Sequence, residues 1–175
     1  MNKLNEKLFE AFENQNIDEI EALLKKGADI NSTDESNETI LYKAITGENL
    51  DLVKFLLEKG ADIEISNCEG YSPLIRSIID KNIEVFYFLI ENGSDINHCD
   101  NHDNSPLLYA MEYGLEDENI SFFDYLLEKN ADIYINNDEG YSVLDILKKG
   151  KEEKWFNYTD ETVNYFIKRL ENLED

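Results

Sequence analysis

One phrase is written four times along this chain: LLKKGADIN from Leu23, LLEKGADIE from Leu56, LIENGSDIN from Leu89 and LLEKNADIY from Leu126. The starts are separated by 33, 33 and 37 residues. A second phrase keeps the same step: ETILYKA at 38–44, YSPLIRS at 71–77, NSPLLYA at 104–110 and YSVLDIL at 141–147. Two ladders with one shared period argue against a fold built around a single central core. They call for stacked copies of one supersecondary unit, each covering the apolar face of its neighbour.

Each copy reads as two short helices and a polar tip. Thr39, Ser72, Ser105 and Ser142 stand where a hydroxyl caps a helix N-terminus. Pro73 and Pro106 follow at the first helical position, where the missing N–H costs nothing. In the first full copy the helices are predicted at Thr39–Thr46 and Leu50–Lys59. Leu41, Ala44 and Ile45 share one helical face, and Leu52, Val53, Leu56 and Leu57 share another. Ala44, Ser77 and Ala110 are small enough to let paired helices approach closely. Gly27, Gly60 and Gly93 fall just after the second helix, where a left-handed cap is expected, and Asn130 takes that place in the fourth copy. Ile30, Ile63, Ile96 and Ile133 then turn inward before exposed tips such as SNCEG and NNDEG. Helices of this length are marginal alone, below the roughly 12–15 residues an isolated helix needs. Stacking is therefore what stabilises them.

The expected organisation is one all-α domain over residues 1–175, a solenoid of about five units including its ends. Residues 1–33 form an N-terminal capping unit, 34–66, 67–99 and 100–136 are full repeats, and 137–175 hold a last unit and a closing helix. In the first unit Leu4, Leu8 and Ala11 make one stripe and Ile17, Ile20, Leu23 and Leu24 another. At the far end, Trp155 and Phe156 lie in a charged connector. Thr159 or Asp160 then caps a helix carrying Val163, Phe166, Ile167 and Leu170 at helical spacing. The four extra residues of the third repeat are expected to lengthen its helix–helix loop around Leu115–Asn119, since loop growth is cheap.

With these residues in view, the chain resembles the ankyrin-repeat family, whose period is 33 residues and whose signature is T-P-L-H-x-A. Here the signature reads TILYKA, SPLIRS, SPLLYA and SVLDIL, over a resemblance spanning roughly residues 4–150. The signature His is absent from every copy, and Tyr42, Ile75, Leu108 and Asp145 stand in its place. In the family that His supports the turn by hydrogen bonding, so the resemblance implies turns that are here either held differently or looser. It also implies a non-catalytic protein-binding module, with partners on the concave side formed by tips and inner helices.

Charge narrows the partner. Thirty-nine acids against sixteen bases give −23 at pH 7, and from Asn82 to Glu128 there is no Lys or Arg. Such a surface repels nucleic-acid phosphates and anionic membranes and attracts a basic protein. Solubility alone is the other reading of the same charge. No apolar run is long enough to span a bilayer, and MNKLNEKLFEAFENQN lacks the apolar core of a secretory signal. Two cysteines, Cys68 and Cys99, are too few for a disulfide framework, so a reduced cytoplasmic monomer is the expectation.

Chemistry has few places to reside. His98, Cys99, Asp100, His102 and Asp103 crowd the stretch NHCDNHD, but the repeat register makes this a tip, with no second cluster to complete a metal site. No phosphate loop or nucleophile elbow is present. No cofactor, metal or enzymatic activity is expected.

Carrying the family's docking side onto this sequence gives the candidate contacts. They are Glu35, Ser36, Glu38 and Thr46; then Cys68, Glu69, Tyr71, Ile79 and Asp80; then Asn101, His102, Asn104, Glu112 and Tyr113; then Asp138, Glu139 and Tyr141. Carboxylates grip Arg, and interleaved Tyr adds contact area at low entropic cost. Three readings follow: a module steering a basic partner, with an inhibitor or immunity protein that neutralises a toxin such as a nuclease as its narrower form; an adaptor acidic only for solubility; and an enzyme built on His98 and His102.

Overall fold

A computed structural model describes residues 2–47, 49–117, 119–153 and 160–174. Among these the chain is all α, with ten helices and no strand. It divides into two compact units, Met1–Ser94 and Asp95–Asp175.

The first unit holds α1 (Lys3–Glu13), α2 (Ile17–Lys25), α3 (Ile40–Thr46), α4 (Leu50–Glu58), α5 (Pro73–Ile79) and α6 (Ile83–Glu91). Consecutive helices pair, and the pairs stack through α3 on α5 and α4 on α6. The predicted caps are made. Thr39 Oγ1 accepts the Tyr42 N–H at 3.1 Å, and Ser72 Oγ accepts that of Ile75 at 3.2 Å. The second helix of each pair is capped by an Asn: Asn16 Oδ1 accepts from Glu19, Asn49 from Leu52 and Asn82 from Val85. Gly60 closes α4 at φ +90°, a conformation in which a side chain is strained.

Burial follows the periodicity. Leu41, Ile45, Val53, Leu56, Ile75 and Phe86 are fully buried, and burying such a side chain is worth about 1.5–3 kcal/mol. Ala44 and Ser77 are buried, and Ser77 Oγ is satisfied by the Leu74 carbonyl at 2.7 Å. Ile17 departs from the expected stripe: it stays 45% exposed at the start of α2, while Ile20 and Leu23 carry the burial. Tyr42, at the signature His position, is fully buried with its hydroxyl unbonded. Burial pushes that hydroxyl's pKa well up, and the Arg76 guanidinium acts on it electrostatically without a bond of hydrogen-bond geometry.

The second unit holds α7 (Pro106–Asp117), α8 (Ser121–Glu128), α9 (Val143–Glu153) and α10 (Asp160–Glu174). Helix α7 pairs with α8, α9 with α10, and α7 packs on both α9 and α10. Ser105 Oγ caps α7 through the Leu108 N–H at 3.3 Å. At the last signature, Ser142 Oγ accepts the Asp145 N–H at 3.2 Å while Asp145 Oδ2 accepts the Ser142 N–H at 3.1 Å. This reciprocal capping box does the work expected of a turn-supporting His, and it holds the Asp145 carboxyl below its usual range.

The insertion corrects one expectation. Helix α7 runs for 12 residues where α3 and α5 run for 7, so the extra residues extend the helix instead of the loop. The added turn carries Gly114 and the buried Leu115. Phe166 of α10 lies against Gly114, fully buried, and packs edge-on to Phe123 with ring centroids 4.5 Å apart. Val163 and Leu170 are buried beside it along α10, which is thus packed as an integral part of this unit. Trp155, Phe156 and Thr159 lie outside the described residues, and Asp160 is the first residue of α10.

Candidate functional site

Each tip is tied by a single Asp or Asn. Asp34 Oδ1 accepts the N–H groups of Ser36 and Glu38 at 2.9 and 3.0 Å. Asn67 Oδ1 accepts those of Glu69 and Tyr71, both at 3.0 Å. Asp100 Oδ1 accepts those of His102 and Asn104 at 2.8 and 2.9 Å, and Asn137 Oδ1 accepts that of Tyr141 at 3.0 Å. The chain reverses at Asn37, Gly70, Asp103 and Gly140, all with positive φ, as Asn, Asp and Gly tolerate best. Sequence motifs alone do not single out these anchors, although 34, 67, 100 and 137 keep the spacing of 33, 33 and 37.

In the first unit neighbouring tips are joined: the Cys68 N–H donates to the Ser36 carbonyl at 2.9 Å, and Asn37 Nδ2 donates to the Ser66 carbonyl at 2.7 Å. Glu35, Ser36, Cys68 and Glu69 are exposed on these tips, and Tyr71 is half-buried. The inner helices are different. Lys43 Nζ lies 2.7 Å from Asp34 and 3.2 Å from Glu38. Arg76 grips Asp80 with two bonds, of 2.7 and 2.8 Å. Glu38 and Asp80 are therefore already engaged in ion pairs within the chain. Burial pushes the Asp34 carboxyl up, but bonds from Lys43 and the tip N–H groups outweigh it and hold it below its usual range. Thr46 is exposed with its hydroxyl on the Lys43 carbonyl, and Ile79 is half-buried.

In the second unit Asn101, His102, Glu112, Asp138 and Glu139 are exposed, and Asn104, Tyr113 and Tyr141 are half-buried. The Asp138 N–H donates to the His102 carbonyl at 2.9 Å, and His102 Nδ1 lies 3.0 Å from Asp138 Oδ2. Tyr141 is covered by Lys149, whose ammonium stands 4.3 Å from the ring centroid and donates to its hydroxyl at 2.7 Å. Although Glu112 is exposed as a whole residue, the protein around its carboxyl, followed by the like charges of Glu116 and Asp100, raises its pKa.

The NHCDNHD stretch is spent on tip structure. Asp100 takes the Tyr109 hydroxyl at 2.6 Å and the Asn104 amide as well as its backbone bonds. Among the described residues no group of three or more His, Cys, Asp or Glu side chains is arranged to hold a metal ion. Neither Cys68 nor Cys99 is in a disulfide, and burial followed by the surrounding Asp residues pushes the Cys99 thiol up, away from its reactive form.

Helix pairs that stack through α3 on α5 and α7 on α9, each preceded by an Asx-tied tip, define a helical repeat protein. The family model for ankyrin repeats in three copies matches residues 8–100 and again residues 64–137. The chain belongs to the ankyrin-repeat family, whose members are protein–protein interaction modules. Comparison with curated proteins returns no match. No helix among the described residues is long and apolar enough to cross a membrane.

Proposed function

We propose that this chain is a non-catalytic binding module whose acidic tips receive a basic protein. The observation that carries the reading is the state of its carboxylates. Glu35, Glu69 and Glu139 stand exposed on three of the four tips, outside every described ion pair, in a chain of net charge −23. Unpaired surface carboxylates steer a cationic partner during encounter and can grip its guanidinium groups on contact. Glu38 and Asp80 serve instead to hold Lys43 and Arg76 in place. The binding set is accordingly narrower than the family's docking side implies, and weighted toward the tips. A monomer working in the cytoplasm, where Cys68 and Cys99 stay reduced, completes the reading.

The test is affinity capture with the wild-type chain beside a Glu35→Lys, Glu69→Lys, Glu139→Lys variant. The expected result is a basic protein retained by the wild type, released as salt is raised and lost from the variant. A partner held equally by both, or one whose binding ignores ionic strength, would overturn the electrostatic reading.

A further inference from the structure

We propose that His102 and Asp138 form a proton-operated latch between two tips of the second unit, and that the latch sets how much negative charge those tips present. The proposal deepens the binding reading above and rests on it for its second half. Its first half stands on geometry. The tips meet twice, through the Asp138 N–H on the His102 carbonyl at 2.9 Å and through His102 Nδ1 and Asp138 Oδ2 at 3.0 Å. The first unit supplies a control. There the Cys68 N–H makes the same backbone bond to the Ser36 carbonyl, but Ser36 stands where His102 does and has no imidazole to protonate.

The charges that act on the imidazole are those of acids: Asp138 on the facing tip, then Asp100 and Asp103 on its own. The bond from Asp138, followed by its charge, favours the protonated ring and raises the His102 pKa. Because the folded value is raised, the link is strongest in acid and fades as pH rises through that value. Protonation engages the Asp138 carboxylate and adds a positive charge to the tip. Loss of the proton restores the negative charge, with both side chains open to solvent at 70% and 50% exposure. Tips that favour a cation therefore do so more strongly above the His102 pKa than below it.

The experiment uses the full chain. Titration of the two histidine rings by NMR in the wild type and in Asp138→Asn reads the latch directly. A lower His102 midpoint in the variant supports it, and equal midpoints overturn it. Binding of a ten-residue lysine peptide at low salt, near pH 6 and near pH 8, reads the consequence. The wild type is expected to lose roughly two- to five-fold more affinity on acidification than His102→Gln, the scale of one exposed ion pair. Equal losses would overturn the charge-setting role while leaving the ring titration to judge the latch. A peptide that binds at neither pH would overturn the binding reading instead.

Discussion

Gly114 of α7 and Phe166 of α10 approach so closely that a Cβ on the glycine would lie 2.6 Å from the Phe166 ring. Phe166 has little room to retreat, since it is fully buried and packed edge-on against Phe123. Gly114→Ala should therefore destabilise the chain. Overpacking costs about 1–3 kcal/mol, and the better helix propensity of Ala offsets at most about 1 kcal/mol. Urea denaturation measures the loss, and adding Phe166→Leu should recover much of it. A Gly114→Ala chain as stable as the wild type would show that α10 is not seated as described.

Asn67 tests the tip anchor. Its side-chain oxygen satisfies two backbone N–H groups, and it is itself 9% exposed. Asn67→Ala strands both donors and should cost roughly 1–2 kcal/mol. Asn67→Asp should be nearly neutral, because Asp34 and Asp100 already do this work in other tips. Thermal melts of the two variants, side by side, separate anchoring from mere polarity.

Asp80 and Glu69 look alike in the sequence and should behave differently. Asp80→Lys removes the two-bonded partner of Arg76 and places a like charge beside it. The cost should be roughly 1–2 kcal/mol, solvent screening included. Glu69→Lys changes an exposed tip residue and should stay within about 0.5 kcal/mol of the wild type. Equal melting temperatures would remove the distinction between structural and available carboxylates.

Acid should expose the Asp100 contribution. Burial pushes its carboxyl up, but bonds from Tyr109, the tip N–H groups and the Asn104 amide outweigh it and hold the pKa below the ordinary 3.8. A lowered folded-state value stabilises the fold above 3.8 and loses that contribution as pH falls through it. Asp100→Asn keeps the acceptor to the tip N–H groups and drops the titration. The stability gap between wild type and variant, followed by urea midpoints between about pH 5 and 2, should shrink toward the acid end. A gap independent of pH would mean that Asp100 acts only as a neutral acceptor.

Much of this was written in the chain. The hydroxyl caps at Thr39, Ser72, Ser105 and Ser142 were legible because a cap is a local interaction, fixed by residue type and position. The left-handed closures at Gly27, Gly60, Gly93 and Asn130 were legible for the same reason. The pairing of Glu38 with Lys43 and of Asp80 with Arg76 spans only five and four positions, yet the sequence alone leaves these acids looking like open acidity. The acids were counted by sign, and a count does not say which charges meet.

The amino-acid order by itself determined the repeat, the helix ends and the tip anchors, because each depends on contacts a few residues apart and recurs with the period. Only the tertiary structure decided that the added residues become another turn of α7, because their worth comes from Phe166, some fifty positions later, filling the space beside Gly114. It alone decided which carboxylates stay open to solvent and that His102 meets Asp138 across two tips. Those outcomes depend on distances between residues remote in the chain, and a period specifies neighbours without specifying which side chains meet.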